Sequence, residues 1–243
     1  MLEEIKVTYI FDSCYTIELG EFFLIINYSK GSLNIPEDKK IIFLATSKDK
    51  RYYTSEIFNL KSLKSVNYII NKDIADLKYE DNIIYIDKES LGVERLKILY
   101  KMENVDLIED ELDYIIEIDD KEIEIKTFDF GDDGIGIYLI IDSIGIFYGG
   151  NLNLNTASKE HMDLLIDDLL DELVDFAFIP IKPLDKDFFV DDFIRTIKPQ
   201  IVFPTQIGNE EMLSTKFASM HKYENTTFRP IFKPNQRIDI DIN

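Results

Sequence analysis

Apolar and polar positions alternate in short blocks through most of the chain, and the first 46 residues read as β-structure. Segments 5–11 (IKVTYIF), 14–19 (CYTIEL), 22–27 (FFLIIN) and 41–46 (IIFLAT) are rich in β-branched and aromatic residues. Asp12-Ser13, Gly20-Glu21 and the stretch SKGSLNIPEDKK separate them as turns. The fourth run has no polar alternation, which predicts a strand buried on both faces. Residues 54–62 (TSEIFNLKS) predict a short helix capped by Thr54 or Ser55, with Glu56 in its first turn. Short apolar runs follow at 67–71 and 82–86. Residues 88–112 are ambiguous, with helical spacing at Leu96, Leu99 and Met102 that suits an inserted helix and loop. Strand alternation returns in DYIIEI (113–118) and KEIEIKTFD (121–129), joined by Asp119-Asp120, and in runs 135–142 and 144–150 with a tight turn near Ser143.

The last third alternates helix and strand. Residues 158–174 present Leu165, Ile166, Leu169, Leu170 and Leu173 as one amphipathic stripe, with Asp163, Asp167, Asp168, Asp171 and Glu172 on a solvated face. A strand at 176–181, a helix over 185–197, a strand at 201–205, a helix over about 209–221 and two short strands complete the chain. No linker, low-complexity segment or internal repeat interrupts this order. Mainly antiparallel hairpins with helices added in each half fit packed sheets with helices outside.

Composition narrows the function. The 243 residues carry 27 Lys and Arg against 47 Asp and Glu, a formal net charge of -20, which disfavours nucleic acid and anionic membrane surfaces. With 45% hydrophobic and 12% aromatic residues, the chain is too apolar for a disordered acidic segment. The N-terminus lacks a basic stretch followed by an apolar one, and no apolar run approaches the ~20 residues that span a bilayer, so a cytoplasmic protein is expected. One cysteine, Cys14, excludes an internal disulfide and a cysteine-cluster zinc site, and two histidines, His161 and His221, exclude a histidine-rich centre. Phosphate-binding and dinucleotide glycine loops and the Gly-X-Ser-X-Gly elbow are absent. Cys14 as a nucleophile would require a nearby base, and packing is its simpler role.

Four landmarks carry a resemblance. They are IIFLATSKDKRYYTSEIF (41–58), IFYGGNLNL (146–154), VDFAFIPI (174–181) and KPQIVFPTQ (198–206), with IKVTYIFDSCYTIEL near the N-terminus. In order and spacing they resemble the metallo-β-lactamase superfamily, in the branch of small cytoplasmic metal-dependent hydrolases akin to ascorbate-6-phosphate lactonase. The resemblance covers most of the chain, 88–112 excepted. It implies one α/β domain over residues 1–243, an αββα four-layer β-sandwich. It also implies a metal-binding set of His-X-His-X-Asp-His, a Gly-Asp carboxylate and a late His, which would hold zinc and ionise a bound water.

Laid onto this chain, that set falls on Ser47, Asp49, Arg51, Tyr52, Asn151 and Gln206. The early His-Ser falls on Asp12-Ser13, and a further Asp falls near Asn27. Ser47, Asn151 and Gln206 offer only neutral oxygens. Tyr52 would have to lose a proton of ordinary pKa about 10, and Arg51 is a permanent cation. Asp49 is the one credible ligand left, and Arg51 is placed to pair with it. The expectation is therefore no metal cofactor and no catalytic residue. The remnant cleft, lined by Asp12, Ser47, Asp49, Arg51, Tyr52, Asn151 and Gln206, would bind a small molecule or a protein, a second copy of the chain included. Tyr52 and Tyr53 would close the old cavity or stack on a ligand. Two alternatives keep catalysis: a Mg²⁺ or Ca²⁺ ion held by Asp12, Asp49, Asp132 and Asp133 with Asn151, or a metal-free acid–base pair of Asp49 and Tyr52. A third reading is a structural subunit beside an active paralogue.

Overall fold

The structure is a computed structural model that describes residues 4–59, 66–80, 83–86, 96–98, 104–130, 134–153, 158–182 and 187–241. The first strands are β1 (Glu4–Phe11), β2 (Cys14–Leu19), β3 (Phe22–Ile26), β4 (Lys40–Ala45), β5 (Val66–Asn71), β6 (Ala75–Glu80), β7 (Ile83–Ile86), β8 (Leu96–Ile98) and β9 (Val105–Ile108). Then come β10 (Asp113–Ile118), β11 (Lys121–Asp129), β12 (Ile135–Ile141), β13 (Ile144–Tyr148), α1 (Lys159–Leu169), β14 (Phe176–Pro180), α2 (Asp187–Ile197), β15 (Ile201–Thr205), α3 (Glu211–Met220), β16 (Thr227–Phe228) and β17 (Gln236–Asp241). Among the described residues no helix is long and apolar enough to cross a membrane.

The chain divides into two compact units, one of residues 1–109 with 235–243, the other of residues 110–234. The first holds a seven-stranded sheet of order β17-β1-β2-β3-β4-β5-β9 and a three-stranded sheet β6-β7-β8. Strands β1 to β3 pair antiparallel through tight turns and β17 joins β1 antiparallel from the far end of the sequence, whereas β4, β5 and β9 continue the sheet in parallel. The unbroken apolar run of β4 is buried on both faces, as its lack of alternation predicts, and β3 is buried in the same way. On one face Phe23, Ile25, Ile41, Phe43, Tyr68 and Ile70 form a core closed by Tyr53 and Ile57 of the following segment. Among the described residues this unit has no α-helix. The helix expected over 54–62 is a 3₁₀ turn, Ser55–Asn59, where Glu56 donates its N–H to Thr54 Oγ1 at 3.4 Å.

The helical spacing at Leu96, Leu99 and Met102 is overturned at its first position. Residues Leu96–Ile98 pair antiparallel with β7, a ladder partner that local spacing cannot reveal. Leu99, Met102 and residues 60–62 lie outside the described residues.

The second unit holds a sheet of order β10-β11-β12-β13-β14-β15-β16, antiparallel up to β13 and parallel beyond it. Both sheets are thus half parallel, rather than mainly antiparallel as the hairpin pattern suggests. The β12–β13 turn places Asp142 at φ 47° and Ser143 at φ 66°, the left-handed pair that a two-residue hairpin requires. Helix α1 ends at Leu169, so its buried stripe is Met162, Leu165 and Leu169, while Leu170 and Leu173 are exposed. The predicted continuation to 174 fails for physical reasons. Asp171 and Glu172 would sit at the negative end of the helix dipole with no basic residue in the last turn. Glu172 turns instead to Lys126, and Tyr138 Oη donates to the Leu173 carbonyl at 2.9 Å.

Asp175 locks the start of the parallel strands. Its Oδ2 accepts the Gly145 N–H at 2.9 Å, its Oδ1 accepts Gln200 Nε2 at 2.5 Å, and its own N–H donates to the Gly145 carbonyl at 2.8 Å. Gly145 is required here, since a Cβ would lie 1.9 Å from the Leu173 carbonyl oxygen. Burial raises the Asp175 pKa, against the opposing hydrogen bonds from Gly145 and Gln200. A carboxylate with a raised folded pKa contributes stability at low pH that is lost as pH rises through that value. Asp175→Asn should therefore match or exceed the native stability at pH 8, the gap closing toward about pH 4. Asp175→Ala should lose about 2–3 kcal/mol by orphaning both donors. Denaturant titrations across pH check both.

Candidate functional site

The residues singled out by the sequence sit where buried strands of each sheet end and their backbone groups lose ladder partners. In the first unit β3, β4 and β5 end side by side, tied by neutral amides. Asn27, left-handed at φ 52°, accepts the Thr46 N–H on Oδ1 at 2.9 Å and donates Nδ2 to Thr46 Oγ1 at 2.9 Å. Asn71 donates Nδ2 to the Thr46 carbonyl at 3.1 Å and accepts the Asp73 N–H at 2.9 Å. Asn27, Thr46 and Asn71 are all buried, and each amide uses both a donor and an acceptor.

The loop after Thr46 winds on itself. Ser47 is fully buried, and its Oγ accepts the Asp49 N–H at 3.1 Å. Asp49 Oδ1 accepts the Arg51 N–H at 2.9 Å, and the Asp49 carbonyl accepts the Tyr52 N–H at 2.8 Å. The Arg51 guanidinium then forks onto the same carboxylate, Nη2 to Oδ2 at 2.8 Å and Nε to Oδ2 at 3.1 Å. Its other side lies over the Tyr52 ring, 5.3 Å from the centroid. Asp12, left-handed at φ 53°, donates its N–H to Tyr9 Oη at 2.8 Å, and its charge acts on both Arg51 and Tyr52. Thus Asp12, Ser47, Asp49, Arg51 and Tyr52 meet in one cluster.

Electrostatics fix the protonation states of this cluster. Burial works to raise the Asp49 pKa, but the Arg51 hydrogen bonds outweigh it and hold the carboxyl below its usual range. Burial pushes the Tyr52 phenol up to about 12, against the attraction of Arg51. The Tyr52 side chain is 1% exposed; its hydroxyl has Ser13 beside it but no hydrogen bond of good geometry among the described residues. Cys14 is buried and its thiol is pushed far up by burial, which removes it as a nucleophile.

In the second unit β13, β14 and β15 end side by side. The Gly149 N–H donates to the Phe178 carbonyl at 2.8 Å, and Gly150 turns the chain at φ 50° into Asn151. Gln206, left-handed at φ 58°, donates Nε2 to the Leu152 carbonyl at 3.0 Å and so brings its loop to that of Asn151. Lys182 donates to the Ile207 carbonyl at 3.2 Å and pairs with Glu210 at 2.9 Å. Thr205 Oγ1 is buried without a hydrogen bond among the described residues. Asn71 and Lys182 escaped the sequence reading. Their signal was a polar residue closing an apolar run, residues 68–70 before Asn71 and 176–181 before Lys182.

The two histidines are elsewhere in the second unit. His161 lies in the first turn of α1, its N–H capped by Ser158 Oγ at 3.2 Å. His221 ends α3, stacks on Phe217 with ring centroids 4.4 Å apart, and meets Asp191 Oδ1 at 3.2 Å. Asp132 and Asp133 lie outside the described residues. Among the described residues no three of His, Cys, Asp and Glu converge on a point where an ion could sit. The residues at the mapped ligand positions do not fit zinc: Asp49, the one carboxylate among those six, is bound to a guanidinium, the Tyr52 phenol stays protonated to about pH 12, and Gln206 directs its amide nitrogen to a carbonyl.

The fold itself has known relatives. The chain matches a novel metallo hydrolase, Igni18, from the hyperthermophilic archaeon Ignicoccus hospitalis with a TM-score of 0.63, 11% identity, and coverage of 99% of this chain and 100% of that one. It matches the metallo-β-lactamase fold protein YhfI of Bacillus subtilis at 0.58, 10% identity, with 98% and 100% covered. An isothiocyanate hydrolase from Delia radicum gut bacteria matches at 0.56, 9% identity, with 98% and 100% covered. No family model matches the sequence, and no curated protein does. The chain therefore has the metallo-β-lactamase fold, an α/β layered sandwich, as its four sequence landmarks imply. At this identity the likeness defines the fold and leaves the chemistry to the residues.

Asn27→Asp tests the neutral character of the strand-end network. It replaces the donor to Thr46 Oγ1 with a buried carboxylate, a cost of about 2–4 kcal/mol at pH 8. Because burial raises the new carboxyl's pKa, the loss should shrink as pH falls below about 5. Chemical denaturation at pH 4.5 and 8 reads both values. Tyr52→Phe, which removes a poorly satisfied buried hydroxyl, should leave stability unchanged or raise it by up to ~1 kcal/mol in the same assay.

Proposed function

We propose that this chain is a non-catalytic protein of the metallo-β-lactamase fold, one that has given up zinc and binds a small molecule or a protein partner. The observation that supports it is the Arg51–Asp49 fork, which lies where the resemblance puts an Asp and a His of the metal-binding motif. A guanidinium supplies the positive charge that balances the carboxylate, and it cannot give up its proton to become a ligand. Asp12, Ser47, Asp49, Arg51 and Tyr52 of the first unit are the residues proposed to meet the ligand. Arg51 retains exposure of 57%, so its remaining N–H groups are available to a carboxylate, phosphate or carbonyl oxygen. A cytoplasmic location, a chain that works as one domain and freedom from any metal cofactor belong to the same proposal.

A second reading keeps an acid–base pair. Asp49 is held ionised while Tyr52 is held protonated, the kind of divergence that separates a base from an acid in hydrolases. The observation weighing against it is that the Asp49 lone pairs are already taken by Arg51, which makes it a weak base.

Elemental analysis of protein purified without chelator, together with a panel of lactone, phosphodiester and β-lactam substrates, tests the first reading. The expected result is metal well below one equivalent, on the order of 0.1 or less, and no turnover above background. Stoichiometric zinc, manganese or iron overturns it. Turnover that disappears in Asp49→Ala establishes the second reading instead.

A further inference from the structure

Strand β10 is an outer edge of the second sheet, and its chemistry suits a partner. The Leu112 carbonyl accepts the Thr127 N–H at 3.0 Å, and the Ile118–Lys121 pair closes the two-residue turn at Asp119-Asp120. Hydrogen-bonded pairs alternate along an antiparallel ladder. The pairs Tyr114–Ile125, Ile116–Ile123 and Ile118–Lys121 are therefore the bonded ones, and the N–H and C=O groups of Asp113, Ile115 and Glu117 point away from β11. Among the described residues no strand lies on that side. The opposite edge of the same sheet is only two residues long, whereas β10 has six and carries neither the Lys nor the Pro that commonly blunts an edge.

The side chains around this edge select what can pair with it. Ile115 is 69% exposed between the acidic Asp113 and Glu117, and β11 presents Glu124 and Glu122 directly opposite Ile115 and Glu117. A second copy of the chain, centred antiparallel on Ile115, would set Asp113 against Glu117 twice, and like charges in register repel. A basic strand gains where a copy loses. The edge also runs into a cleft of about 430 Å³ between the start of β10, the end of β11 and α1. Glu111, Asp113, Asp129 and Asp168 line it, with the half-exposed Leu164 as an apolar wall. Its one lysine, Lys126, is already paired with Glu172. Such a cleft takes a lysine or arginine side chain, the stem against Leu164 and the head among carboxylates.

We propose that β10 and this cleft form a docking surface for an extended basic segment of another protein, which adds to the sheet as a further strand. The backbone of Asp113, Ile115 and Glu117 supplies the ladder. Residues of the segment on the Ile115 face read basic, apolar, basic, and a following basic side chain enters the cleft.

The probe is a capped nine-residue peptide with Lys and Val alternating on one strand face and Thr on the other, beside a counterpart with Glu for Lys. Fluorescence anisotropy should show binding of the Lys peptide alone, weakening about tenfold or more between roughly 50 mM and 500 mM salt. Hydrogen exchange should show new protection at the Ile115 and Glu117 amides. Ile115→Pro removes an outward N–H without touching the β10–β11 ladder, so the fold should persist by circular dichroism while binding falls at least about tenfold. Glu117→Lys and Asp168→Asn should each weaken binding as well. Equal binding of the Glu peptide, binding insensitive to both Ile115→Pro and Glu117→Lys, protection elsewhere, or a chain dimer that Ile115→Pro dissolves would each overturn the proposal.

Discussion

Buried parallel strands have to satisfy their polar groups where the ladder stops, and this chain does so with neutral amides and ion pairs. Asn27, Thr46 and Asn71 close the ends of β3, β4 and β5 through reciprocal hydrogen bonds at about 3 Å, all shielded from water. In a low-dielectric setting an unpaired donor costs far more than the paired one contributes. The Ser47–Tyr52 loop depends on that platform. Its own turns, Ser47 to Asp49 and Asp49 to Arg51, shape the backbone so that the Arg51 fork meets its carboxylate.

A loop organised in this way has a different chemistry from a metal centre. Metal ligands must be deprotonated and must keep a lone pair free for the ion. Here the carboxylate is engaged, the phenol holds its proton and the guanidinium repels cations. In the second unit the neutral Gln206 amide reaches the Leu152 carbonyl, and the Lys182 ammonium, paired with Glu210, reaches the Ile207 carbonyl. Each contact ties a strand-end loop to its neighbour by hydrogen bonding.

Legibility in the sequence followed the range of the interactions. The unbroken run at 41–46 read correctly as a doubly buried strand, and the hairpins at 113–129 and 135–148 read correctly from alternation and turn residues. Those signals are local. Residues 96–98 form a strand because a short apolar run suits either period until a partner is present, and α1 ends early because Glu172 and the Leu173 carbonyl find partners distant in sequence. Of the candidate residues, the Asp49–Arg51 pairing was foreseeable from two positions in one loop. The roles of Asn71 and Lys182 were hidden, since their acceptors lie 25 residues away in each case.

The sequence by itself determined what the chain can hold. With two histidines and one cysteine the chain cannot supply a histidine-rich or cysteine-cluster donor set, whatever the fold, because composition does not depend on arrangement. The order of four landmarks also sufficed to imply the architecture. Only the tertiary structure decided which groups satisfy one another: Asn27 with Thr46 across 19 residues, Gln206 with Leu152 across 54. It also decided which edge of the second sheet is left open. Such pairings depend on how strands register in space, and a register is chosen by packing over the whole sheet rather than by neighbours along the chain.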